Sequence, residues 1–256
     1  MASSNQPSGK SISRRSLLEW LGSATVLALG SPLIHASCAS APGGVHRGDG
    51  SVRDRPAGEQ NDRSPYPFQP GTGKGPPFEG WGERTVDPQD LAAILASWRL
   101  RVEGMVTAPR TLSFEELAGL PRQSQVTDFH CVEGWSVDDV PWDGVHLSHL
   151  FELVTPAPRA THVTFHTLGG KYNESLPLSV ALEPRTILGY GVAGATLPLK
   201  HGFPVRLVAP RLLGYKNAKY VERIELTDHA VNGFWVAAGY PYAGEVPAAR
   251  LRPGKY

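Results

Sequence analysis

Apolar and polar positions fall into short, clearly punctuated blocks from about residue 88 onward. Trp98-Arg99-Leu100-Arg101-Val102 alternates with period two, which predicts a half-buried strand ended by Glu103-Gly104. Thr111-Leu112 reads as a strand end running into a helix at Ser113-Phe114-Glu115-Glu116-Leu117, where Ser113 and Glu116 have capping-box spacing. Val126–Phe129, His162–His166, Val205–Ala209 and Val221–Leu226 are further predicted strands, and Leu147–Leu153 a helix. Leu176–Ala181 combines a strand end with a short helix, and Leu91–Leu95 a short helix after Asp87-Pro88-Gln89-Asp90. Strands outnumber helices and the spacers are short. The expected class is α+β with a mixed, partly barrel-like β-sheet, in one domain over residues 88–256.

The upstream sequence has a different texture. Residues 42–87 are rich in Gly, Pro, Asp and Arg without apolar periodicity, and predict a linker that lies against the domain rather than folding alone. Residues 1–41 begin with the twin arginines of Ser13-Arg14-Arg15-Ser16-Leu17-Leu18, continue as an apolar stretch to about Ile34, and end in small residues, Ala39-Ser40-Ala41. That order describes a twin-arginine export signal. A membrane anchor is the competing reading, weakened by Glu19, Gly22, Gly30 and a length of only about 18 apolar residues. Cys38 offers a lesser alternative, a lipidation site.

Composition narrows the function. A formal net charge of +1 gives no electrostatic case for nucleic acid or an anionic membrane surface. The chain has 2 cysteines. With Cys38 in the leader, an exported domain keeps Cys131 as a lone thiol, which is a nucleophile, a redox group, a metal ligand or simply a small buried hydrophobe. Its setting, Phe129-His130-Cys131-Val132-Glu133-Gly134-Trp135-Ser136, is a strand-to-turn transition that points toward a pocket. His130 is a poor base for it, because neighbours on a strand face opposite ways. Structural zinc needs several Cys or His at close spacing, which is not seen. His162 and His166 share a strand face and read as ordinary sheet histidines.

A second constellation follows, His201-Gly202-Phe203-Pro204-Val205-Arg206 and then Gly214-Tyr215-Lys216-Asn217-Ala218-Lys219-Tyr220. A bidentate Arg206, Lys219 as a point charge and the backbone amides around Asn217 and Ala218 suit an anion of phosphate type. A solvated basic face is the alternative.

Together these motifs, with Trp142-Asp143-Gly144-Val145 and Gly233-Phe234-Trp235, resemble the molybdopterin-binding domain of the sulfite oxidase family over about residues 98–240. The resemblance implies a molybdenum-molybdopterin cofactor with Cys131 as the metal ligand. It implies that Thr167, His201, Arg206, Asn217, Ala218 and Lys219 contact that cofactor. Beyond what the resemblance implies, Tyr172 is the candidate to bring a catalytic hydroxyl near the metal and His166 or Lys171 to bind an anionic substrate, with a supporting or surface place as the alternative for each. The activity implied is oxygen-atom transfer to or from a small sulfur-containing substrate, with an external electron carrier such as a membrane haem protein. No haem is expected in this chain, which lacks Cys-x-x-Cys-His. No dimerisation domain is seen, so a monomer is expected, in the periplasm or outside the cell. Size and export resemble those of the family's periplasmic methionine-sulfoxide reductases, although their amino-terminal asparagine-aromatic motif is not found in residues 42–97.

Overall fold

The computed structural model describes residues 66–74, 77–78, 81, 96, 98–170 and 172–256, all within the compact unit Ala57–Tyr256. The predicted leader, Cys38 and the predicted helix Leu91–Leu95 lie outside the described residues. No helix among those described is long and apolar enough to cross a membrane.

Two open sheets carry the domain. The first orders its strands β2 (Arg110–Leu112), β1 (Leu100–Gly104), β10 (Val221–Thr227), β5 (His162–Thr167) and β6 (Asn173–Pro177). It is mixed, because β1 runs parallel to β10 while the other pairs are antiparallel. The second is antiparallel, with β3 (Arg122–His130), β4 (Ser136–His146), β7 (Ile187–Val192) and β8 (Ala195–Thr196) in order and β9 (Arg206–Val208) also on β7. Among the described residues, four short α-helices fill the connections: α1 (Phe114–Ala118), α2 (Leu147–Val154), α3 (Leu178–Ala181) and α4 (Phe234–Ala237). The α+β class with a mixed sheet holds, and neither sheet closes into a barrel.

Local chemistry explains the elements. Alternation in β1 sends Leu100 and Val102 into the core and leaves Arg101 outside. Helix α1 starts where the capping box predicts: Glu116 N–H donates to Ser113 Oγ (3.1 Å), and Ser113 N–H donates to Glu116 Oε2 (2.7 Å). Helix α2 buries Leu147, Leu150, Phe151 and Val154, the apolar stripe of a helix lying on a core.

Residues of the Pro/Gly-rich segment pack on the domain. Tyr66 is buried, stacks edge-on against Tyr190 (5.0 Å) and donates its hydroxyl hydrogen to Asp143. A Cβ at position 191 would lie 2.3 Å from the Tyr66 ring, so Gly191 in the middle of β7 is what admits that ring. Phe68 lies 5.4 Å from Phe114 and 5.3 Å from Phe203. Trp81 joins Val137, Val140, Trp142, Ile187 and Val192 in a hydrophobic cluster on the second sheet.

Candidate active site

The site is built where the end of β3, the start of β9 and the segment 211–219 come together. Strand β3 stops at His130, and the chain turns through residues 131–135 into β4. Cys131 N–H donates to Trp135 O (2.9 Å) and Gly134 N–H to Cys131 O (3.2 Å), with Gly134 at φ 101°, a conformation that favours glycine. Cys131 is half-buried on this turn, and its Sγ lies 3.9 Å from Glu133 Oε2 with the backbone N–H groups of Val132 and Glu133 turned toward it. Burial, together with the Glu133 carboxylate, pushes the thiol above its ordinary range. His130 points away into the protein and shares a 2.8 Å hydrogen bond with Ser136 Oγ through Nδ1.

Arg206 is the most informative charge. It is 2 % exposed, and its guanidinium lies 5.3 Å from Phe129, 5.3 Å from Trp142 and 5.7 Å from Trp81. Its polar partners are carbonyls, His201 O at 3.0 Å and Leu207 O at 3.5 Å. No carboxylate among the described residues pairs with it. Burial alone pushes it down to about 10, so it remains a cation at neutral pH. A buried cation without a counter-charge is costly unless something anionic meets it. Gly189 on β7 opposes Arg206, and a Cβ there would sit 3.8 Å from the arginine stem and 3.0 Å from Val208.

The other cations of this region converge on the same place. Gly202, at φ 112°, brings the stems of Lys219 and Arg206 within 3.1 Å of where its own Cβ would be. His201 is buried under Phe78 (4.7 Å) and Trp81 (4.5 Å). Burial, then Arg206, Lys219 and Lys200, push its imidazole down to about 3, so it stays neutral. Lys219 Nζ donates to Lys200 O (2.9 Å) and is only partly buried.

The remaining predicted contacts take more specific places. The Asn217 side chain holds the preceding loop: Oδ1 accepts from Ala209 N–H (2.6 Å), and Nδ2 donates to Leu212 O and Leu213 O (both 3.1 Å). Asn217 N–H donates to Gly214 O (3.1 Å), and Ala218 is buried with its carbonyl on Leu207 N–H. Thr167 donates its hydroxyl hydrogen to Tyr172 O (2.9 Å), and Tyr172 donates its own to Tyr215 O. Burial raises Tyr172 well above the ordinary phenol range, so it is a neutral donor. His166 is occupied on the first sheet, with Nε2 2.9 Å from Glu225 and Nδ1 3.0 Å from Arg223. Lys171 lies outside the described residues.

Other features of the site depend on contacts between residues far apart in the chain. Lys216 reads as part of a basic stretch, yet it is fully buried on Glu174 (2.5 Å), a residue 42 positions earlier in the chain. The aromatic box around Arg206 draws Trp81, Phe129 and Trp142 from three separated segments. Arg250, in a tail of prolines and alanines, donates to Cys131 O, Trp135 O and Ser136 Oγ.

A half-buried thiol and the buried Arg206, which pairs with no carboxylate among the described residues, mark a candidate site for an anionic ligand in this two-sheet α+β domain. The oxidoreductase molybdopterin binding domain family matches residues 86–235, more than half of the 256-residue chain, and the chain belongs to that family. Among its relatives, the uncharacterized oxidoreductase YuiH of Bacillus subtilis is 36% identical over 59% of this chain and 76% of its own length. The protein-methionine-sulfoxide reductase catalytic subunit MsrP of Gluconobacter oxydans is 37% identical over 54% of this chain and 49% of its own. This chain spans about half the length of the sulfoxide reductases it matches. The crystal structure of the sulfane dehydrogenase SoxCD from Paracoccus pantotrophus shares the fold, with a TM-score of 0.50 and 23% identity over 59% of this chain and 41% of that one.

Proposed function

We propose that the chain is an exported molybdenum-molybdopterin oxidoreductase. It would transfer an oxygen atom to or from a small sulfur-containing substrate and exchange electrons with a separate carrier. One observation carries the reading: the buried, carboxylate-free Arg206 holds its guanidinium 5.3 Å from the ring of Phe129, two residues before Cys131 in the chain. That donor set suits a ligand that brings sulfur-bound metal at one end and a phosphate at the other. Among the described residues no group of three or more His, Cys, Asp or Glu is placed to hold a metal ion. A metal here would take Cys131 as its protein ligand, and a soft thiolate suits molybdenum beside dithiolene sulfurs.

When bound, the cofactor supplies the redox chemistry. The protein's own residues do the rest. Arg206 and Lys219 hold anionic oxygens, Arg206 by a planar fork and Lys219 as a point charge. Neutral His201 offers one donor and one acceptor. Tyr172, whose carbonyl accepts from Thr167 and whose hydroxyl donates to Tyr215 O, would orient its own loop against the segment that carries Asn217 and Lys219, and would act on substrate only by releasing Tyr215. The sulfoxide reductase names among the relatives favour a sulfoxide substrate, and their designation as catalytic subunits favours a separate partner protein. The twin-arginine pattern favours export of the folded protein to the periplasm. A metal-free cysteine nucleophile fits less well, because the thiol is pushed up and His130 is engaged elsewhere.

The test is metal and pterin analysis of protein made in a cofactor-competent host, followed by turnover with methionine sulfoxide and with sulfite. About one molybdenum per chain with reduction of the sulfoxide supports the reading, and a metal-free product sinks it. Arg206→Met separates binding from folding. Cofactor retention is expected to fall about 10- to 100-fold, the loss of a charge-assisted contact. The cofactor-free variant is expected to melt no lower than wild type, because an apolar side chain replaces an unneutralised buried cation.

A further inference from the structure

Residues 243–256 lie beyond the segment matched by the family, yet they touch both halves of the site. The tail starts on the basic side. Leu213 N–H donates to Gly244 O (2.7 Å) and Val246 N–H to Arg211 O (2.8 Å). Gly244, at φ 59°, lies so close that a Cβ would come within 2.5 Å of the Lys216 stem. After the turn Ala248–Arg250 the tail reaches the thiol side. Arg250 Nη1 donates to Cys131 O (3.1 Å), while Nη2 donates to Trp135 O (2.9 Å) and Ser136 Oγ (3.0 Å). Two residues on, Arg252 grips Asp128 with both nitrogens at the bulge between β3 and β4, and Lys255 reaches Asp139 (2.6 Å).

The Cys131 turn needs such a fastening. Val132 is 41% exposed, and the space where a Cβ of Gly134 would stand is open. Packing on Phe129 (5.9 Å) holds Trp135 at the end of the turn, but residues 132–134 are exposed and are not fixed that way. A planar guanidinium that bridges two carbonyls of the turn and the hydroxyl at the start of β4 fixes it in orientation as well as place.

We infer that residues 243–256 form a strap that sets the distance between Cys131 and the basic segment, with Arg250 as its positioning residue. This rests on the reading of Cys131 as the metal ligand, but the strap itself is testable without metal. In full-length cofactor-free protein, the amides of Cys131 and Gly134 are expected to exchange hydrogen about tenfold faster or more in Arg250→Ala. Arg250→Lys is expected to behave the same way, because one ammonium cannot reproduce the fork. In loaded protein the paramagnetic resonance of the molybdenum centre is expected to shift in both variants, and added guanidinium ion to restore it in Arg250→Ala.

Wild-type exchange rates and an unchanged resonance would overturn the inference. So would a lowered melting temperature with both readouts unmoved, which marks Arg250 as merely stabilising. If Arg250→Ala fails to fold, Arg250→Lys carries the test, since it keeps the stem and charge. Wild-type protein that binds no molybdenum would remove the cofactor reading while leaving the exchange result to stand or fall by itself.

Discussion

Cys131→Ser is expected to lower turnover by on the order of 10⁴-fold, the scale seen when a group on which the whole reaction depends is removed. The same variant is expected to keep the stability of wild type within about 0.5 kcal/mol, the usual range for substitutions away from packed or networked positions. Both halves follow from where the sulfur sits. Cys131 is half-buried on a turn, and its Sγ contact at 3.9 Å to Glu133 is too long to hold anything in place. Serine fills nearly the same space and keeps the backbone bonds to Trp135 and Gly134, because those involve only the main chain. What it cannot supply is a soft thiolate. Metal analysis with a thermal melt decides the matter. If Cys131→Ser keeps its molybdenum and its turnover, the thiol is not the ligand. If it loses several degrees of melting temperature, the cysteine is a packing residue after all.

Sequence pattern revealed the elements whose side chains do one job each. The alternation of β1, the capping box of α1 and the apolar stripe of α2 are local signals, and the structure realises them at Leu100–Gly104, Phe114–Ala118 and Leu147–Val154. Strands β4 and β7 were not legible. Strand β4 contains Pro141, Asp138, Asp139 and Gly144, residues that normally break strands. It survives because the sheet needs them. A Cβ at Gly144 would lie 2.3 Å from Leu188 O, and Asp139 adopts φ 55° at the bulge, where its N–H donates to Asp128 Oδ1 (2.9 Å). Strand β7 holds Gly189 and Gly191, which make room for Val208 and Tyr66. A glycine that admits a side chain from elsewhere reads as a turn until its visitor is known. The site divides the same way. Cys131, His201, Arg206 and Lys219 stood out by type and motif, and the last three converge around Gly202. Arg250 did not stand out, because its role depends on the path of a tail with no periodicity.

Lys216→Met is expected to destabilise the domain by about 3–5 kcal/mol, whereas Lys216→Met combined with Glu174→Leu is expected to recover most of that loss. Both side chains are fully buried, with Lys216 Nζ donating to Glu174 Oε1 (2.5 Å) and Ser175 O (2.9 Å) and lying 4.5 Å over the Tyr242 ring. Burial pushes the lysine down and the carboxyl up, and their mutual attraction opposes both shifts. Removing the lysine strands a carboxylate whose Oε2 already has no partner among the described residues. Its pKa then rises further in the folded state alone. Between the unfolded value of about 4.3 and that raised value, the folded protein holds a proton that the unfolded chain has released, so stability falls as pH rises. The single variant is therefore expected to approach wild type below about pH 4 and to fall behind it toward neutrality, as melting curves across pH would show. An equal deficit at all pH values would mean a lost cavity filler rather than a stranded charge. The pair also ties β6 to the loop Gly214–Lys216, next to Asn217, Ala218 and Lys219. If the double variant folds with wild-type stability but retains less cofactor, the ion pair sets the loop's position as well as its cost.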